Sequence, residues 1–192
     1  DNTELILSEL QNVSDQLTNM SDKFRDIRDH SINAAREGAS NSLYTIGVQI
    51  RDMMYDVVNL ANMEFNGHYV FSGTKTTAAS IDPQPPQKTD LPFEIIEGTP
   101  TEENPSGLEV VFKGNNKDRI INKSANSTEV INVKADELFQ GEGAEAFESI
   151  INMYNVITFN PDGSRRSMSD ALSNEDIGKL DKYQKEIAEH FE

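Results

Sequence analysis

Histidines are the first residues to examine for chemistry, because two of them at helical spacing would predict a zinc site. The chain has three, His30, His68 and His190, which are scattered and form no ligand pattern. It has no cysteine, which excludes thiol catalysis, disulfides and cysteine-ligated zinc. The sequence therefore predicts no metal-binding residue.

Two short glycine-containing loops are the next places where a cation or a phosphate could bind. Residues 160–164 read Asn-Pro-Asp-Gly-Ser, without the alternating ligands and closing Glu of a calcium loop. Residues 141–143 read Gly-Glu-Gly and lack the third glycine and the lysine of a phosphate loop. No Gly-x-Ser-x-Gly segment presents a nucleophilic serine. We predict no catalytic residue, no cofactor-binding residue and no cofactor, and we expect that the protein is not an enzyme.

The charge balance limits the partners of the chain. With 17 basic and 33 acidic residues, its 192 residues carry a net charge of −16. Such acidity repels phosphate backbones and anionic lipids, so we expect neither nucleic-acid nor membrane binding. The first ten residues are acidic and helical in pattern, which argues against a cleaved signal peptide. Because both ends lie within helical patterns, we expect a piece trimmed from a longer protein.

Two long helices are predicted by apolar residues that recur in alternating steps of four and three. This 3.5-residue repeat is typical of helices that wind around one another. Ser31 fills the one polar position of the first repeat. The first repeat consists of Ile6, Leu10, Val13, Leu17, Met20, Phe24, Ile27 and Ala34, and the second of Leu43, Ile46, Ile50, Met53, Val57 and Leu60.

The first helix should run from about residue 2 to residue 37, where Gly38 can end it. Residues 40–42 offer capping oxygens to a second helix that ends at about Phe65, before Asn66-Gly67. The short connection predicts an antiparallel helical hairpin. The alternative is one broken rod whose two apolar seams both face a third helix.

A small β-rich region follows the second helix. A short strand at residues 68–73 brings Tyr69 and Phe71 onto one face. Residues 114–116, Gly-Asn-Asn, resemble a hairpin turn between the strands on either side of them. The other predicted strands cover residues 93–97, 108–113, 119–123 and 129–134.

Helices return after the strands. One is predicted at residues 144–158, with Phe147, Ile150, Ile151, Tyr154 and Ile157 on one face. Ser169 and Asp170 could cap a last helix, where Leu180, Tyr183, Ile187 and Phe191 restore the four–three spacing. The fold class is therefore α+β: an elongated bundle of long, coiled-coil-like helices (residues 1–67 and 136–192) with an inserted β-rich domain (residues 68–135).

The polar side of the first helix carries aspartates interleaved with basic residues. Such a face is usually solvated and forms pairs four residues apart, but it could also contact a neighbouring subunit. Its residues are Asp15, Asp22, Asp26 and Asp29, with Lys23, Arg25 and Arg28 between them.

Residues 59–76, Asn-Leu-Ala-Asn-Met-Glu-Phe-Asn-Gly-His-Tyr-Val-Phe-Ser-Gly-Thr-Lys-Thr, resemble a segment of one protein family. This is the family of bacterial flagellar hook–filament junction proteins (hook-associated protein 3), which are relatives of flagellin. In that family a long helix ends at Asn-Gly and enters a strand reading Tyr-x-Phe-Ser/Gly-Gly-Thr. Flagellins share the helix and the Phe-Asn-Gly turn but lack the Phe-Ser-Gly-Thr continuation. The family's order of elements matches essentially the whole chain.

The resemblance implies a structural adaptor of the flagellum that joins the hook to the filament and templates filament assembly. Its partners would be copies of itself in a ring, hook-associated and hook proteins, and flagellin. It implies an extracellular location reached by the flagellar type III export route without a cleaved signal peptide. We expect the isolated chain to be a monomer. The alternatives are a flagellin filament subunit, a phage-tail or adhesin rod, and an enzyme within the β-rich region.

Overall fold

A computed structural model describes residues 2–37, 40–77, 81, 91–124, 127–139, 141 and 143–191. Along these residues two helices come first, six short strands follow and helices return at the end, which is the order expected for the α+β class; that class is confirmed. The helices are α1 (Asn2–Glu37), α2 (Ser40–Ala61), α3 (Ala135–Phe139), α4 (Glu145–Thr158) and α5 (Asn174–Phe191). The strands are β1 (Glu64–Phe65), β2 (His68–Tyr69), β3 (Phe93–Glu97), β4 (Leu108–Phe112), β5 (Ile120–Ser124) and β6 (Ser127–Val130).

The described residues form two compact units, each assembled from distant parts of the chain. The first unit consists of residues 1–19, 58–94 and 111–145, and the second of residues 20–57, 95–110 and 146–192. The domain boundaries predicted after residues 67 and 135 stay predictions, as does the elongated shape.

The second unit is built on four helical segments, from α1, α2, α4 and α5. The rings of Phe24 in α1 and Phe147 in α4 lie 6.4 Å apart between centroids, and both side chains are fully buried. Nζ of Lys23 lies 3.5 Å from Oδ2 of Asp56, which pairs the middle of α1 with the last part of α2. That pairing fits the predicted antiparallel hairpin, while Gly38 itself lies outside the described residues.

Ser31 occupies the polar position of the first apolar repeat for a structural reason. Its side chain is fully buried, and Nε2 of Gln184 in α5 donates a hydrogen bond to its Oγ at 2.9 Å. A buried hydroxyl without a partner would be costly, so this bond stabilises the pairing of α1 with α5. The first apolar repeat is less buried before Val13, where Ile6 is half-buried and Leu10 is exposed.

The buried face of α2 departs from the predicted 3.5-residue repeat in its second half. Leu43, Ile46, Ile50 and Val57 are buried as expected, but Met53 and Leu60 are only half-buried. Their places in the core are taken by Met54, Val58 and Ala61. A straight helix has about 3.6 residues per turn, so its inward face drifts away from a 3.5-residue pattern over several turns.

The prediction that α2 continues to Phe65 is wrong, because the helix ends at Ala61. Glu64 and Phe65 instead pair antiparallel with Tyr69 and His68. Asn66 and Gly67 have φ values of 52° and 78°, the left-handed pair that a two-residue hairpin turn requires. The Asn-Gly dipeptide therefore closes a β-hairpin and does not end a helix.

The strands form three separate two-stranded sheets, β1–β2, β3–β4 and β5–β6. The strand predicted at residues 93–97 is confirmed, and those predicted at 108–113 and 119–123 are confirmed within a residue. The last strand begins two residues earlier than predicted and ends at Val130. The hairpin turn predicted at residues 114–116 is wrong, because β4 pairs with β3 and β5 pairs with β6.

The last helix also begins later than predicted. Ser173 caps α5, since its Oγ accepts a hydrogen bond from the backbone N–H of Asp176 at 3.1 Å. Asp176 returns the interaction by accepting from the N–H of Ser173 at 3.0 Å, which completes a reciprocal capping box. Ser169 and Asp170 are therefore not the cap. Leu180 and Ile187 are buried as predicted, whereas the side chain of Phe191 lies outside the described residues.

Candidate functional site

The residues singled out for metal chemistry do not come together. His30 is half-buried on α1, and His68 is exposed in β2. Glu142 and the side chain of His190 lie outside the described residues. Across the part of the chain that the structure describes, no three His, Cys, Asp or Glu side chains are grouped to hold a metal ion.

Residues 160–164, which were compared with a calcium loop, form hydrogen bonds among their own side chains and backbone. Asp162 accepts hydrogen bonds from the hydroxyl and the N–H of Ser164, at 2.6 and 2.9 Å, and these bonds, that of the hydroxyl most, lower the pKa of its carboxyl group. Asp170 accepts from the amide of Asn160 at 3.0 Å and from the N–H of Ser167 at 2.8 Å. The bond from Asn160 is the larger cause of the lowered pKa of Asp170. The segment is a fixed turn.

Arg166 anchors this turn to the helices on either side of it. Its guanidinium donates to the carbonyl oxygens of Val156 and Ala171, at 3.1 and 3.0 Å, and Nη2 donates to Oδ2 of Asp176 at 3.0 Å. The side chains of Arg166 and Asp176 are only 5% and 7% exposed. The pair therefore fixes the connection between α4 and α5 by buried, charge-assisted hydrogen bonds.

Residues 69–73, which lie within the segment 59–76 that carries the family resemblance, are all buried in the first unit. Tyr69 and Phe71 are buried as their alternation predicted, but so are Val70 and Ser72, because the strand ends at Tyr69 and the chain then bends. The N–H of Tyr69 donates to the carbonyl of Thr76 at 2.9 Å. The motif therefore serves as a compact corner and not as an extended strand.

Asn115 holds this corner from the connection between β4 and β5. Its N–H donates to the carbonyl of Ser72 at 3.1 Å, its Oδ1 accepts from the N–H of Thr74 at 3.0 Å, and its Nδ2 donates to the hydroxyl of Thr74 at 2.8 Å. The approach is so close that a Cβ on Gly73, whose φ is 67°, would lie 2.2 Å from the Asn115 carbonyl oxygen. The composition of residues 114–116 predicts only a turn at Asn115 and gives no sign of this contact.

Aromatic side chains fill the core of the first unit. The Phe93 ring lies 4.8 Å from that of Phe112 and 5.3 Å from that of Phe139, measured between centroids. Phe93 and Phe139 are fully buried, and Phe139 belongs to α3, a short helix that the sequence did not predict. Burial of the Phe93 and Phe139 rings contributes about 2–3 kcal/mol each, so this cluster organises the unit.

Three solved structures share this architecture. A protein assigned as flagellar hook-associated, from Vibrio parahaemolyticus, matches with a TM-score of 0.68 and 16% identity over 98% of this chain and 72% of its own. FlgL of Bacillus cereus matches with a TM-score of 0.56 and 15% identity over 98% and 78%. Flagellar hook-associated protein 3 of Legionella pneumophila matches with a TM-score of 0.54 and 18% identity over 70% of this chain.

The chain has the flagellar hook-associated fold. It spans 35% of the Legionella protein, and so only part of that protein's length. No protein-family model matches the sequence, and no curated protein sequence matches it significantly.

The charged face of α1 in this hook-associated fold carries ion pairs between residues that are close in sequence. Arg25 pairs with Asp22 at 3.3 Å, and Arg28 pairs with Asp29 at 3.6 Å. Surface pairs of this kind contribute about 0.2–1 kcal/mol each. These pairs fit the prediction that this face of α1 is exposed to solvent. Its contact with a neighbouring subunit stays a prediction.

Several large apolar side chains of the hook-associated fold remain exposed. Among the described helices none is long and apolar enough to cross a membrane. These exposed apolar side chains are Leu5, Leu7, Leu10, Tyr44, Ile96, Ile120, Val130 and Met168.

Proposed function

We propose that the protein is a structural subunit of the bacterial flagellum that joins the hook to the filament. The observation that carries the proposal is the hook-associated fold, matched over 98% of this chain in two solved structures. The segment at residues 59–76 supports the junction role in particular, since its Phe71-Ser72-Gly73-Thr74 continuation is the feature that flagellins lack.

In this proposal the protein works by contact and not by catalysis. Copies would form a ring whose one side meets hook or hook-associated proteins and whose other side receives flagellin. The helical domain (residues 1–67 and 136–192) would carry the ring, and the β-rich domain (residues 68–135) would be an insertion on it. Export through the flagellar type III channel would bring the protein to its extracellular site without a cleaved signal peptide.

Deletion of the gene tests the proposal, with the culture medium assayed for unpolymerised flagellin. We expect hooks without filaments and flagellin in the medium, because filament subunits would have no template on which to assemble. Plasmid-borne expression of the full-length gene should restore filaments. Loss of filaments without flagellin in the medium would favour the flagellin alternative, and normal filaments would contradict both flagellar roles.

A further inference from the structure

A groove in the second unit combines exposed apolar side chains with a positive charge. It has a volume of about 240 Å³ and is lined by Ile157 and Thr158 of α4, Tyr44 of α2, and residues 165–168. Tyr44 is 63% exposed and Met168 is 79% exposed. Tyr44 and Met168 are large apolar side chains exposed to solvent beside the same groove, which indicates a surface where a partner can bind.

Arg165 is the positive charge that this groove offers to a partner. The other arginine of the lining, Arg166, is buried and paired with Asp176. Arg165 is exposed, its backbone is fixed in a β-bridge to Phe159, and no acidic partner is seen for it within the described ranges. On a chain with a net charge of −16, an unpaired arginine beside apolar side chains favours an acidic partner with apolar flanks.

The loop between β3 and β4 has these properties. It presents Glu102 and Glu103, both exposed and neither with an ion-pair partner among the described residues, between Pro100 and Pro105. Hydrogen bonds close the loop below them, from the N–H of Gly98 to the carbonyl of Gly107 at 2.7 Å and from the N–H of Thr101 to that of Asn104 at 3.1 Å.

Asparagine side chains fix the same loop to α4. Nδ2 of Asn155, which is buried, donates to Oδ1 of Asn104 at 2.8 Å, and Oδ1 of Asn155 accepts from the N–H of Ser106 at 3.2 Å. Gly107 adopts a φ of 69°, and a Cβ there would lie 2.2 Å from the carbonyl oxygen of Gly98. The carboxylates therefore project from an already ordered loop, which lowers the entropic cost of binding.

We propose that the groove formed by Tyr44, Ile157, Thr158, Arg165 and Met168 receives the Glu102-Glu103 loop of a second copy of this chain. Arg165 would pair with the carboxylates, while Tyr44 and Met168 would pack against the flanking prolines. Because different surfaces of the two copies meet, the contact repeats from copy to copy and closes a ring if the rotation allows. This contact would be the interface between neighbouring copies in the ring described under the proposed function. It rests on the proposed function only for its place in the flagellum.

Cysteine cross-linking tests this contact, because these 192 residues contain no cysteine that could react in place of an introduced pair. Met168→Cys and Glu103→Cys are placed together in the full-length gene, and flagella are treated with a short bismaleimide. We expect a ladder of cross-linked copies, which neither single variant can give. A matched control pairs Glu103→Cys with Gly178→Cys on the exposed face of α5 and should remain monomeric.

Three outcomes would overturn the contact. They are no ladder in flagella that contain the protein, an equal ladder from the Gly178→Cys control, and dimers formed by Met168→Cys alone. The last would indicate that two grooves meet each other. These outcomes leave the gene-deletion result unaffected, so failure of the contact and failure of the junction role are distinguishable.

Charge reversal gives a second, independent test. Arg165→Glu should reduce the yield of the ladder at least tenfold, and adding Glu102→Lys should restore it, because the exchanged charges still attract. Lys182→Glu, which reverses an exposed lysine on α5, is the matched control and should leave the yield unchanged. Equal loss in Arg165→Glu and Lys182→Glu, or no restoration by the second change, would overturn the proposed pairing.

Discussion

The side chain of Asn62 pairs with the backbone of Phe93 in both directions. Nδ2 of Asn62 donates to the Phe93 carbonyl oxygen, and Oδ1 accepts from the Phe93 N–H, each at 2.8 Å. The Asn62 amide therefore makes the two hydrogen bonds that a neighbouring strand would make to Phe93, the first residue of β3. Because Asn62 directly follows α2, these bonds connect β3 to the end of that helix. Phe93 is also the ring at the centre of the aromatic cluster, so this pairing positions the core of the first unit.

Replacement of Asn62 by alanine should lower the free energy of unfolding by about 1–3 kcal/mol, because the buried Phe93 backbone would lose both partners. Asn59→Ala, at an exposed position in the last turn of α2, is the control and should change it by less than about 0.5 kcal/mol. Urea denaturation followed by circular dichroism measures both. Equal midpoints for the two variants would show that the Asn62 pairing carries no stability.

Two helical glycines should respond in opposite ways to alanine. A methyl group on Gly47 in α2 would lie 2.8 Å from Oγ1 of Thr158 in α4, so Gly47→Ala should destabilise by about 1–3 kcal/mol. At Gly178 in α5 no described atom lies within 4 Å of such a methyl group. Gly178→Ala should therefore stabilise by about 0.5–1 kcal/mol, through helix propensity alone. Stabilisation by both changes would contradict the close approach of α2 to α4.

The buried pair of Arg166 and Asp176 should be far more sensitive than an exposed pair on the same helix. Asp176→Asn leaves the buried guanidinium without its counter-charge and should cost about 3–5 kcal/mol. Glu175→Gln removes the partner of Lys179 in an exposed pair at 3.9 Å and should cost less than about 1 kcal/mol. Thermal unfolding of the two variants measures the difference, and similar melting temperatures would contradict the anchoring role of Arg166.

Acid should release the turn between α4 and α5, because hydrogen bonds hold the pKa of Asp170 below its ordinary value of 3.8. A carboxyl group with a lowered folded-state pKa binds fewer protons than in the unfolded chain, so its contribution is present above pH 3.8 and is lost as the pH falls through the folded value. Asp170→Asn should therefore show a shallower fall in stability between about pH 5 and pH 2. Asp181→Asn, an exposed carboxylate on α5, is the control. An unchanged slope in Asp170→Asn would contradict these bonds.

The helices could be predicted well, because their signal is local. The bounds of α1 match the prediction, and those of α4 match it within one residue, since apolar periodicity and burial report the same face. Phe147, Ile150 and Ile157 are fully buried as expected. Periodicity did not predict which residues are buried in the second half of α2. The 3.5-residue repeat describes supercoiled helices, whereas the inward face of a straight helix rotates away from that repeat.

The turns and the pairing of strands could not be predicted, because they depend on contacts between distant residues. Asn66-Gly67 suits both the end of a helix and a hairpin turn, and Asn62 pairs with a strand 31 residues further along the chain. The composition around Asn115 predicts a turn, yet its side chain donates a hydrogen bond to the hydroxyl of Thr74. Ser173 was predictable as the cap of α5 from its spacing of three residues to Asp176, a signal that Ser169 and Asp170 obscured.

The junction role is tested most directly by the position of the protein along an intact flagellum. An epitope-tagged copy that restores filaments in the deletion strain is labelled with gold-conjugated antibody and viewed by electron microscopy. We predict a single band of label where the hook meets the filament. Label along the whole filament would identify a filament subunit and contradict the junction role.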